Sequence, residues 1–311
     1  MPEPGASPLS KAPPPARSPL FHAEQFVWLT ARVLEQRLFA YHFLHGSADP
    51  VETALDAYRN DDGGYGHALD PDLRGPVSQP LHARRALQVL DAIGRCGGQR
   101  VDRVCRYLTS VSAPDGALPA VHPSLRGYPA APSLPVVEPA PSSLLATGPV
   151  VGLLHRNEVW HAWLFRATDS CWQVVESLEK PDPYEVEAAV AFLDRVPDRP
   201  RAEAAADRLG RLVRRQRLVN GGPGGTDGSP LAEDTSRFPH VYAPRPDSLA
   251  RAWFTDEEMN RSLDRLTAEQ QEDGGWPTRH PAWAPCTALE TRPTATIEAL
   301  LTLRAYGRHI G

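Results

Sequence analysis

Asp62-Gly63-Gly64-Tyr65 and Gln270-Gln271-Glu272-Asp273-Gly274-Gly275-Trp276 are two copies of one turn, and their reading decides the fold. When Asp62 is set on Asp273, Leu55 falls on Leu266 and Tyr65 on Trp276. A loop follows in both copies, then an apolar helix ending in glycine, Leu81 to Gly94 in one and Ala295 to Gly307 in the other. Ala86, Leu87, Leu90 and Ile93 match Ala299, Leu300, Leu303 and Tyr306. Self-similarity of this kind marks a repeat architecture in which each unit buries its apolar face on the next. The unit here is helix, Gly-rich turn, loop, helix, Gly cap. The glycines supply positive φ for a sharp reversal beside an aromatic ring, and Gly94 and Gly307 stand where a helix C′ residue turns left-handed.

Outward from the two strong copies the pattern continues more weakly. Val101 to Ser110 leads into Asp115-Gly116-Ala117-Leu118, and Arg208 to Gln216 leads into Asn220-Gly221-Gly222. Thr255 followed by Glu258 forms a capping box, after which Met259, Leu263 and Leu266 share one face, as in an amphipathic outer helix. Ala295 to Tyr306 is apolar nearly all round, as an inner helix is. Further helices are predicted over about 24–44, 143–156, 160–179 and 185–195. The expectation is an all-α chain, an α/α toroid of about ten to twelve helices with long Pro/Gly-rich loops. Irregular stretches at about 113–141 and 220–247 are long enough to be functional.

Composition bounds the function. A chain of 311 residues, 41% apolar, buries a large core. A formal charge of −5 offers no basic footprint for nucleic acid, and no apolar run approaches the ~20 residues of a membrane span. Residues 1–20 are rich in Pro, Ser and Ala, without a signal-peptide core, and read as a disordered arm ahead of one domain at 21–311. The 33 prolines fall mostly between helical segments. Cys96, Cys105, Cys171 and Cys286 show no C-x-x-C spacing, so a reduced cytoplasmic setting is expected. The sequence is silent on oligomeric state.

The Gln270-to-Trp276 stretch resembles the Q-x-x-x-G-x-W repeat of squalene and terpene cyclases, and protein prenyltransferase β-subunits carry a related Gly-Gly-aromatic repeat. The chain is also similar to small bacterial toroid proteins with stretches like Asp61 to Leu73. The resemblance covers about 51–95 and 254–311 and is thin between them. It implies a central cavity for an isoprenoid or similarly apolar substrate. It further implies proton-initiated cyclisation or isomerisation of the kind that class II cyclases perform with the middle Asp of D-x-D-D. Asp70 and Asp72 match its first two aspartates, while Leu73 stands in the last place. Asp72 would then be the acid and Asp70 its partner. Such an acid must stay protonated until it reacts. The alternative is that both aspartates cap the loop and pair with Arg74 or Arg84.

Asp62 and Asp273 read as structural, since an Asp before Gly-Gly accepts turn N–H groups. Glu233 and Asp234 form a second acidic pair in the 220–247 loop, with His240 and Tyr242 nearby as a polar and aromatic wall. Tyr65, Trp276 and Trp283 are candidates to guard a cation, or else plain core; His67 lies next to the first turn, and Glu298 is a lone acid in an apolar inner helix. No H-x-x-x-H pair, no D-D-x-x-D helix and no Asp two residues before Cys286 supports a metal site, so neither metal nor cofactor is expected. Two competing readings are a carbohydrate-active toroid with paired carboxylates such as Asp72 and Asp234, and a toroid that only binds a lipid or a protein.

Overall fold

The computed structural model describes residues 18–220, 237–278 and 283–311, and over these the chain is all-α. The helices are α1 (Pro19–Thr30), α2 (Val33–Phe43), α3 (Ala48–Asp56), α4 (Pro80–Ala92), α5 (Gly98–Val111), α6 (Leu144–Arg156), α7 (Ala162–Ser177), α8 (Pro183–Leu193), α9 (Arg199–Arg215), α10 (Pro239–Tyr242), α11 (Asp256–Ala268) and α12 (Pro285–Ala305). Extended pairing among the described residues is confined to isolated bridges such as Leu73 with Ala130. No helix among them is long and apolar enough to cross a membrane.

Neighbours run in a circuit. Successive hairpins pack α2 on α3, α4 on α5, α6 on α7, α8 on α9 and α10 on α11, and α12 returns to α1. The even-numbered helices touch one another, α12 with α2, α4 with α6, α6 with α8 and α8 with α10. The start of α1 meets the C-terminal residues, Leu20 N–H donating to the Ile310 carbonyl at 2.8 Å.

The Asp-Gly turns explain how one hairpin docks on the next. Gly64, Ala117 and Gly275 donate their N–H to Asp62, Asp115 and Asp273 at 2.8, 3.1 and 3.0 Å. The glycine after each Asp is left-handed, with φ of 88° at Gly63, 88° at Gly116 and 91° at Gly274. A Cβ there would strike backbone of a neighbouring helix: Arg103 of α5, Ala167 of α7, and His22 of α1. The weak copy at Asp115 therefore has the same geometry as the strong ones. Gln270 Nε2 ties the last turn to α1 through the Pro19 carbonyl at 2.9 Å. Trp276 packs in the core, its indole N–H donating to the Leu266 carbonyl at 2.7 Å.

Three expectations need correction at their edges. Helix α1 begins at Pro19 with Ser18 as its cap, so the arm boundary at 20 is late; residues 1–17 lie outside the described residues. The single helix expected at 24–44 is two, parted by extended backbone at Ala31 and Arg32, where no Gly or Pro announces a break. The last helix starts at Pro285, well before 295, and runs through Pro293. The carbonyl that a proline at 293 leaves without its helical donor belongs to Leu289, which is exposed, so water can satisfy it.

Candidate functional site

The loop from Gly66 to Gln79 carries Asp70 and Asp72 and is held from below. Leu69 and Leu73 are fully buried and anchor it, which leaves Asp70 and Asp72 half-buried beside a cavity of about 910 Å³. His67 and Ala68 are both left-handed at φ 57°, a conformation costing about 1–2 kcal/mol for each non-glycine residue. Arg32 offsets that cost by donating to the Ala68 and Leu69 carbonyls at 2.9 and 3.2 Å. Arg32 is itself fixed by Glu35, a fully buried carboxylate on α2, at 2.8 and 3.1 Å. Across the loop, Asp72 C=O accepts from Ala131 N–H at 2.8 Å, and Arg74 N–H donates to the Pro129 carbonyl at 2.9 Å. The long 113–141 stretch is thus pinned to the acidic loop.

Asp70 Oδ1 accepts the Asp72 N–H at 3.1 Å, and Asp72 Oδ1 accepts the Trp283 indole N–H at 3.1 Å. Burial, followed by the Asp70 charge, pushes the Asp72 carboxyl above the usual aspartate value, against the Trp283 hydrogen bond and the Arg74 charge. That is the direction a proton donor needs. It also has a sign for stability. The folded state holds the proton more tightly than the unfolded chain, so stability is greatest below the ordinary value of 3.8 and falls as pH rises through the folded value. Asp72→Asn, which keeps an oxygen acceptor for Trp283, is expected to melt above the wild type at neutral pH. The gap should close toward pH 4 in thermal unfolding; a gap independent of pH would refute the raised pKa.

The rest of the cavity wall is rich in carboxylates and hydroxyls. Asp115 comes from the second turn and accepts from Ser170 at 3.1 Å. Asp182 and Glu185 form the capping box of α8 at one edge. Glu187 binds Arg237 at 3.1 Å, and that guanidinium lies 4.6 Å from the centre of the Tyr184 ring. Arg84 enters from α4, and Leu81, Leu144 and Leu145 supply an apolar side.

Of the residues singled out in the sequence, Asp70, Asp72 and Trp283 meet at this cavity. Tyr65, Tyr242 and Trp276 do not; they are among the largest fully buried side chains and belong to the core. Tyr242 donates its hydroxyl to the Leu218 carbonyl at 2.9 Å. His240 is buried against Ser262, 2.7 Å away. His67 is on the surface with its ring 2.9 Å from Asn60 Oδ1. Glu298 is exposed and reaches the site only through its charge on Arg84. Glu233 and Asp234 lie outside the described residues. The loop cap expected of Asp70 forms on the Asp72 N–H, but among the described residues neither aspartate makes an ion pair with Arg74 or Arg84, and Arg74 binds Glu290 of α12 at 2.9 Å. Sequence reasoning missed Glu187 and Glu35, and treated Arg84 only as a counter-ion; a charged residue on an otherwise buried helix was the available signal.

All four cysteines are free thiols, three of them buried and Cys286 exposed. No group of three or more His, Cys, Asp or Glu among the described residues is placed to hold a metal ion.

No protein-family model matches this chain, and no curated protein matches it. Among solved structures it is similar to a crystal structure of a protein from Actinoplanes, with a TM-score of 0.54 and 17% identity, covering 93% of this chain and 89% of that one. The likeness is one of fold.

Proposed function

We propose that the contact circuit is an α/α toroid, that the cavity is its substrate chamber, and that Asp72 acts there as a general acid on a hydroxyl-rich substrate, most simply a glycan. The observation that carries this reading is the wall. Carboxylates and hydroxyls from the 66–79 loop, the second turn, α7 and α8 converge on one space, whose volume is in the range of small-molecule sites. The aromatic rings needed to shelter a carbocation are buried elsewhere, leaving Trp283 and Tyr184 at the cavity. That weighs toward sugar chemistry over isoprenoid cyclisation. An aromatic face beside carboxylates suits a sugar ring, and an acid with a raised pKa suits protonation of a leaving oxygen. The leucine side of the chamber keeps the isoprenoid reading as the second one. A cytoplasmic setting goes with either, since four unpaired thiols persist in a reducing compartment.

The test is a product screen. The full chain is incubated with a panel of oligosaccharides and, separately, with linear polyprenyl substrates, and products are read by mass spectrometry. Cleavage or rearrangement of a saccharide, falling by about 10²–10⁴-fold in Asp72→Asn with the melting temperature undiminished, supports the proposal. A polyprenyl product lost in the same variant would replace it with the isoprenoid reading. Undiminished turnover in Asp72→Asn would refute Asp72 as the acid under both.

A further inference from the structure

Arg84 is the charged group in the cavity whose own needs are least met. It lies on α4 one turn beyond Leu81, and both line the cavity. The residue is half-buried, with Nε enclosed by protein, and burial holds its pKa below the usual arginine value. Of its donors, Nη1 reaches the Leu145 carbonyl at 3.3 Å, while the buried Nε–H has no acceptor among the described residues. The adjacent Arg85 shows what a satisfied arginine on this helix looks like: it donates to Thr294 at 3.0 Å and lies 3.9 Å from Glu35. Among the described residues, Arg84 has no carboxylate at that range. The acidic groups whose charge it feels are Asp70, Glu298 and Glu187. Asp70 is occupied by the Asp72 amide and Glu187 by Arg237.

A guanidinium stays charged when buried and offers a planar fork of donors matched to two oxygens of one oxyanion. A protein that wanted only packing at position 84 would use an apolar residue, since a buried cation without a partner is costly. We infer that Arg84 seats an anionic oxygen group of the substrate, a carboxylate or a phosphate, in the same chamber as Asp72. The substrate class is thereby narrowed to an acidic sugar or a sugar phosphate, and this rests on the reading of the chamber as a glycan site. The anion takes the part of the guanidinium that borders the cavity. It also places the sugar by a fixed point, leaving Asp72 to act on another part of it.

The experiment is a ligand-observed NMR titration of the full chain with glucose, glucuronate, glucose 6-phosphate, acetate and inorganic phosphate. The wild type is expected to bind glucuronate or glucose 6-phosphate at least about tenfold more tightly than glucose. Arg84→Gln should erase that preference, and Arg84→Lys, which keeps the charge but not the fork, should restore part of it. Among the described residues Arg84 makes no ion pair, and the melting curve of each variant checks that the fold is intact. Acidic and neutral sugars bound equally by the wild type, or a preference that survives in Arg84→Gln, would overturn the anion seat while leaving the glycan reading in place. Acetate or phosphate bound through Arg84, with no gain from a sugar, would keep the seat and overturn the glycan reading. Failure of every anion to bind the wild type overturns the seat.

Discussion

Gly274→Ala is expected to cost about 4 kcal/mol or more, a large part of the ~5–15 kcal/mol that typically holds a protein folded. Two effects add. The residue sits at φ 91°, where an L side chain is strained. Its Cβ would also stand 2.2 Å from the His22 carbonyl oxygen and 2.5 Å from the carbonyl carbon, both backbone atoms of α1. Backbone cannot swing aside as a side-chain tip can, so α1 must lift from the turn. The contact joins residues near opposite ends of the chain, and the Gln270 bond to Pro19 and the Leu20 bond to Ile310 lie close by it in sequence. All are expected to loosen together. Gly307→Ala is the internal control: its φ is 69° and a Cβ there meets nothing within 4 Å, so only the backbone cost of about 1 kcal/mol applies. Denaturant unfolding of the two variants separates the strain from the clash. Equal losses would mean that the turn does not press on α1. Gly116→Ala, with 2.6 Å to Ala167 N, and Gly63→Ala, with 2.7 Å to the Arg103 carbonyl, should fall between them.

The same turns show what a sequence can reveal unaided. An Asp followed by a left-handed Gly is local chemistry, decided within four residues, and so both the strong copies and the weak one at Asp115 were readable, and with them the repeat. Which way the next ring points is not local. Tyr65 and Trp276 follow their glycines into the core because the adjoining hairpins leave space for them there, and nothing in their own segments distinguishes core from cavity. The break between α1 and α2 was hidden for a similar reason. Ala31 and Arg32 are compatible with helix, and it is the demand on Arg32 from Glu35 and from two loop carbonyls over thirty residues away that favours extended backbone there. Asp70 and Asp72 were legible as a pair because Leu69 and Leu73 flank them with buried anchors. The lack of a partner for Arg84 was not, since it depends on what the surrounding elements fail to supply.

Glu35→Ala is expected to cost about 3–5 kcal/mol, the usual range when one member of a buried ion pair is removed. Glu35 is fully buried in the first turn of α2, and that helix has no side-chain cap, so its carboxylate also sits at the positive end of the helix dipole. It receives two hydrogen bonds from Arg32 and faces Arg85 at 3.9 Å. Removing it leaves two largely buried guanidinium groups facing each other across an empty space. Arg32 is then drawn toward water and gives up the Ala68 and Leu69 carbonyls. The left-handed pair at His67 and Ala68 loses the grip that offsets its strain, so the loop bearing Asp70 and Asp72 should open before the rest of the fold. Hydrogen exchange gives the reading: the Leu69 and Leu73 amides, bonded to the Gly66 and Asp70 carbonyls, should lose protection by more than the global destabilisation accounts for. Glu35→Gln, which keeps an acceptor for Arg32 but no charge, should fall between wild type and Ala. A double-mutant cycle with Arg32→Ala isolates the pair, and a coupling below about 0.5 kcal/mol would place it with exposed, weakly coupled ion pairs. In that event the shape of the acidic loop would have to come from Leu69, Leu73 and the 129–131 strap alone.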